Sequence, residues 1–195
     1  MDALRLFLAI DIPDFAREKI AEVQNDFKML NLDAAWVNPA KIHLTMKFLG
    51  NTLPRLIPEI KERMVKITLP VRRFHVCLDQ VGVFPNLNRP RVLWVGLQDP
   101  QGQLIELRKK IEDEMAGLDF HRETKAGIPH LTLARIKSGR NRSRLKQEVE
   151  SGRKISAEPI EVRSVHLIQS RLTREGPVYT VLDQFPLSGT GDGQS

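Results

Sequence analysis

The tripeptide His-Leu-Thr occurs twice, at His43-Leu44-Thr45 and His130-Leu131-Thr132, 87 residues apart. Composition alone gives such a doubling with a chance on the order of 10⁻⁴ to 10⁻³, so it reads as an internal duplication. The same offset lays Leu6-Phe7-Leu8-Ala9-Ile10 on Leu93-Trp94-Val95-Gly96-Leu97, and Pro13 on Pro100. Both apolar runs are short and bounded by polar turns, as buried strands are. An amphipathic stretch follows each proline, with Phe15, Ile20, Val23, Phe27 and Leu30 in one and Leu104, Leu107, Ile111 and Met115 in the other. Their spacing predicts two helices, and Asp14 and Gln101 stand near the starts, where a polar side chain can meet free N–H groups.

Leu56, Ile60 and Met64 predict another helix after the first triplet, and Leu145 and Val149 one after the second. Strand patterns come next, at 74–84 and 160–168, and a last one at 178–182 closes the chain. The pattern predicts an α+β fold: two pseudo-symmetric lobes, each a small, mainly antiparallel sheet backed by helices, with a central cleft. At 195 residues neither lobe is large enough to stand alone, so 1–187 reads as one bilobal unit. The stretch 188–195, small and polar without periodicity, reads as a loose tail.

Composition narrows the function classes. A lone cysteine, Cys77, excludes an internal disulfide and a cysteine-based zinc finger. The apolar run at 6–10 is too short for a signal core or a membrane span. A soluble, cytoplasmic protein is expected, monomeric by default. A net charge of +6 suits an anionic partner.

In a strand alternate side chains share a face, so His43 with Thr45, and His130 with Thr132, point away from the apolar Leu44, Met46, Leu131 and Leu133. Two imidazoles across a cleft can serve as base and acid on opposite sides of a reacting centre. Two hydroxyls can hold the oxygens of an anion between them. A phosphodiester needs this set and no metal or other cofactor. As zinc ligands the histidines would lack a third partner, since the segments offer no carboxylate and no H-E-x-x-H pattern.

The paired segments, His43-Leu44-Thr45-Met46 and His130-Leu131-Thr132-Leu133, resemble the motifs of the 2H phosphoesterase superfamily. With RLFLAIDIP, WVNPAKIHLTMKFLG, RPRVLWVGL, IPHLTLARI and LTREGPVYTVLDQFPL, the chain is similar to the RNA 2′,3′-cyclic phosphodiesterases, also called 2′–5′ RNA ligases. The resemblance implies metal-independent hydrolysis of an RNA-terminal 2′,3′-cyclic phosphate to a 2′-phosphate, with RNA ends, tRNA fragments among them, as partners. It implies His130 as proton acceptor, His43 as proton donor, and Thr45 and Thr132 on the phosphate. The residues alone leave acid and base interchangeable. They also leave open ligation in the same site, or binding of an RNA end without turnover.

Phe48 and Arg135 are equivalent under the offset. A regular strand puts them opposite their histidines, and a bulge would be needed to turn them into the cleft. There they would flank a nucleobase by stacking and cation–π contact. Lys47 shares parity with His43 and would add positive potential to the cleft. The basic run Arg135, Lys137, Arg140, Arg142, Arg144, Lys146 reads as a solvated face or a track for RNA backbone.

Overall fold

A computed structural model describes residues 2–123, 127–174 and 176–188. The tail beyond Ser188 lies outside them. Among the described residues nine strands and four α-helices follow one another as β1 (Leu4–Ile10), α1 (Asp14–Lys28), β2 (Ala34–Trp36), β3 (Leu44–Thr52), α2 (Ile57–Thr68), β4 (Phe74–Phe84), β5 (Val92–Gln98), α3 (Gln103–Ala116), β6 (His130–Ile136), α4 (Arg142–Glu150), β7 (Ile160–Val162), β8 (Ser164–Thr173) and β9 (Gly176–Pro186). No helix among the described residues is long and apolar enough to cross a membrane.

The strands form two sheets, ordered β3-β1-β8-β9 and β2-β6-β5-β4-β7. All pairings between the named strands are antiparallel. The duplication is visible as β3-β1-β8 against β6-β5-β4. Its third strands are exchanged: β4, from the first half, pairs with β5, and β8, from the second half, pairs with β1. Each sheet is therefore built from both halves of the chain, which periodicity could not reveal. The expected strand at 160–168 is two strands broken at Arg163, with β7 on one sheet and β8 on the other.

Burial follows the apolar spacing. Helix α1 buries Ala16, Ile20, Val23 and Phe27, and α3 buries Leu104, Leu107, Ile111 and Met115. These join Leu8, Leu44, Met46, Leu93, Leu131 and Leu133 in one cluster that spans both sheets. Neither Asp14 nor Gln101 caps its helix. Asp14 pairs with Arg17 at 3.0 Å. Asp99 accepts the Ile105 N–H at 3.1 Å instead, because its chain position lets the carboxylate reach back over the first turn of α3.

Candidate functional site

Each motif strand carries the same irregularity. Between β1 and β3, Leu8 pairs with Lys47 but Ala9 pairs with Thr45, so Met46 is the extra residue. Between β5 and β6, Leu93 pairs with Ala134 but Trp94 pairs with Thr132, so Leu133 is extra. Met46 and Leu133 are equivalent in the repeat. The bulge puts two consecutive residues into the core, Met46-Lys47 and Leu133-Ala134, all buried.

The side chains next along each strand therefore change face. Phe48 pairs across with Phe7, and Arg135 with Val92, on the same face as Thr45 and Thr132 respectively. Phe48 is 59% exposed. Its ring lies 6.2 Å from that of Phe7, which in turn lies 4.8 Å from His43. The expectation for Lys47 is overturned by the same bulge. Lys47 leaves the cleft for the core, where its Nζ meets Glu112 Oε2 at 2.6 Å and donates to the His121 carbonyl at 2.8 Å.

The freed carbonyl at the second bulge is taken up. Leu133 O accepts from Val37 N at 2.9 Å and from the buried Gln24 Nε2 at 2.9 Å. Gln24 also donates to Val37 O at 2.8 Å, so α1 of the first half clamps the second motif strand.

The two imidazoles are held alike. His43 Nδ1 lies 2.9 Å from Lys41 O, and His130 Nδ1 lies 2.8 Å from Ile128 O, in each case the carbonyl two residues upstream. A carbonyl only accepts, so each Nδ1 carries the hydrogen. Each Nε2 is then the ring nitrogen left with a lone pair, and neither has a hydrogen-bond partner among the described residues. Aromatic rings wall both. His43 lies against Phe7 and edge-on to Tyr179 at 5.3 Å. His130 lies edge-on to Phe84 at 4.9 Å and 6.1 Å from Trp94.

Phe7 and Trp94 are equivalent in the repeat, a signal readable in the aligned runs. Phe84 and Tyr179 have no such local signal, because β4 and β9 reach their histidines only through sheet pairing. Phe7, Ala9, Ile168 and Tyr179 form an apolar patch separate from the main core, so the His43 face is not simply core.

Burial lowers the pKa of both histidines below 6.5, against a smaller upward pull from the carbonyl each ring donates to. Asp11 raises that of His43 slightly; Arg108 lowers and Glu123 raises that of His130. Cα atoms of β3 and β6 approach within 8 Å, which brings the two motif strands together. Tyr179, against His43, also feels the charge of Arg135 on the other sheet.

Trp94 owes its place to a glycine. Gly82 stands opposite it in the β4–β5 ladder, and a Cβ there would lie 2.2 Å from two indole carbons. Gly82→Ala displaces the indole, which packs beside Phe84 and His130. It costs about 1–3 kcal/mol in urea unfolding and changes the tryptophan emission of the folded state. An unchanged spectrum and midpoint would show that the indole has room to spare.

These features place the molecule among phosphoesterases with duplicated His-x-Thr motifs. The chain belongs to the LigT-like phosphoesterase family, whose model matches it twice, at residues 10–94 and 95–179. The RNA 2′,3′-cyclic phosphodiesterase of Methanocaldococcus jannaschii is 34% identical over 182 residues, covering 93% of this chain and 100% of that protein. Among solved structures, TT0787 of Thermus thermophilus superposes with a TM-score of 0.77 at 26% identity, over 95% of this chain and 99% of the other. E. coli LigT complexed with 3′-AMP gives a TM-score of 0.76 at 26% identity, over 96% and 99%.

Proposed function

We propose that this protein hydrolyses the 2′,3′-cyclic phosphate at an RNA end to a 2′-phosphomonoester, with the histidines themselves moving the protons. The observation that carries the reading is the matched pair, His43 and His130, each with Nδ1 tied to a carbonyl and Nε2 unpartnered. Relatives named RNA 2′,3′-cyclic phosphodiesterase support the substrate.

In this reading His130 Nε2 takes a proton from water as the water oxygen bonds to phosphorus. The bond from phosphorus to O3′ breaks, and O3′ takes the proton from His43 Nε2. Charge gathers on the non-bridging oxygens, which accept from the hydroxyls of Thr45 and Thr132. Phe48 and Arg135 flank the terminal base, a sequence-tolerant contact of about 1–3 kcal/mol. The direction, His130 as base and His43 as acid, follows the family resemblance.

The test is a short RNA ending in a 2′,3′-cyclic phosphate, incubated with the protein in excess EDTA, its products resolved by chromatography. A 2′-phosphate end is expected. Turnover only after a divalent metal is restored would recast the histidines as ligands. A bound but unaltered RNA end would leave a binding module.

A further inference from the structure

Beyond the paired histidines, the surface holds a cavity of distinct chemistry. It measures about 340 Å³ and is lined by Arg89, Pro90, Arg91, Lys137 and Arg142, with Asn88, Ser138 and Gly139. Four cations line it and no carboxylate does. Among the described residues none of the four is in an ion pair, whereas Arg63, Arg108 and Arg153 all are.

The cavity walls are fixed by hydrogen bonds. Asn86 Oδ1 accepts from Asn88 N and Arg89 N, both at 3.0 Å, holding the turn that carries Arg89. Ile136 N donates to Arg91 O at 2.9 Å and Lys137 N to Asp33 O at 2.8 Å. Arg142 reaches across to the Asn88 carbonyl at 2.8 Å.

The cavity also lies in line with the proposed site. Strand β6 starts at His130, presents Arg135 on the Thr132 face, and ends one residue before Lys137. At about 3.3 Å per residue, His130 to Lys137 spans roughly 23 Å, beyond the reach of the terminal nucleotide alone. We infer that this cavity is a subsite for the phosphate backbone of upstream nucleotides, which tethers a single-stranded RNA whose end lies between the histidines. The inference rests on the reading that the substrate is an RNA end. Without base-edge readers the contact is charge-driven, so it ignores sequence and weakens with salt.

Binding tests it without turnover. RNAs ending in a 2′-phosphate, two and twelve nucleotides long, are titrated by fluorescence anisotropy over a salt series. The longer RNA binds the wild type at least about tenfold more tightly, and the double variant Arg89→Ala/Lys137→Ala loses that increment. The slope of log K against log salt flattens by about 1.4, the loss of two contacts at roughly 0.7 each on a single strand. The charge-keeping pair Arg89→Lys/Lys137→Arg retains most of both. An unchanged length dependence in the alanine variant overturns the inference, as does equal loss in the charge-keeping pair. Loss of binding to anionic phospholipid vesicles, with RNA binding unaffected, would assign the cavity to a membrane surface and overturn it too. If the wild type shows the length effect but never opens the cyclic phosphate, the proposed function fails and the subsite stands.

Discussion

His43→Ala and His130→Ala each lower kcat on RNA ending in a cyclic phosphate by about 10²- to 10⁴-fold, the usual contribution of a positioned acid or base. The double variant is little worse than the weaker single one, because the two groups act in one step and their losses do not add. Thr45→Ala and Thr132→Ala lose less, since a hydrogen-bond donor disappears and the proton path survives. Single-turnover hydrolysis measures all of these, with thermal unfolding as the check on the fold. Near-normal rates in either histidine variant would remove the proposed chemistry.

The pH profile gives the same groups a second signature. In the proposed reaction the base is neutral and the acid protonated, and burial lowers both pKa values below 6.5. The alkaline limb of kcat/KM, which reports the acid in the free enzyme, therefore has its midpoint below 6.5. In the complex the bound phosphate anion favours the charged imidazole, so the limb of kcat lies at higher pH. The same depression links to folding. The unfolded histidines bind protons first as pH falls, so stability is full above pH 6.5 and is lost on acidification through the folded-state pKa values.

Lys47→Met is expected to have the largest effect on stability, about 3–5 kcal/mol, out of a total of roughly 5–15 kcal/mol for a domain. The Lys47 side chain is fully buried and its partner Glu112 is 10% exposed. Glu112 Oε2 also accepts the Glu123 N–H at 3.2 Å, so the carboxylate links α3 to the loop before the second motif. Removing the ammonium leaves that carboxylate buried without a cation. Lys47→Met with Glu112→Leu regains most of the loss, because an apolar pair of similar volume needs no solvation. Denaturant unfolding of the four proteins measures the coupling. Additive losses in the double variant would show that the two charges are independent.

Helix α3 shows how far the chain can be read directly. Leu104, Leu107 and Ile111 repeat at helical spacing, and each is buried as that spacing requires. The same holds for the extent of β4, whose alternation lasts from Phe74 to Leu78 before its register with β5 shifts, and for the two His-x-Thr faces, because these depend on periods of two and 3.6 residues. A residue-by-residue period is carried by the sequence itself, and so is the duplication.

What the tertiary structure decided lies outside any local period. Both motif strands bulge at equivalent residues, Met46 and Leu133, and the extra residue reverses parity. That sends Lys47 to Glu112 and brings Phe48 and Arg135 onto the faces of Thr45 and Thr132. The exchange of β4 and β8 between sheets, which sets Phe84 against His130, and the placing of Tyr179 on β9 against His43, depend on pairing between residues far apart in the chain. Such pairings are chosen by which apolar faces can be buried together, a property of the assembled core rather than of any one segment.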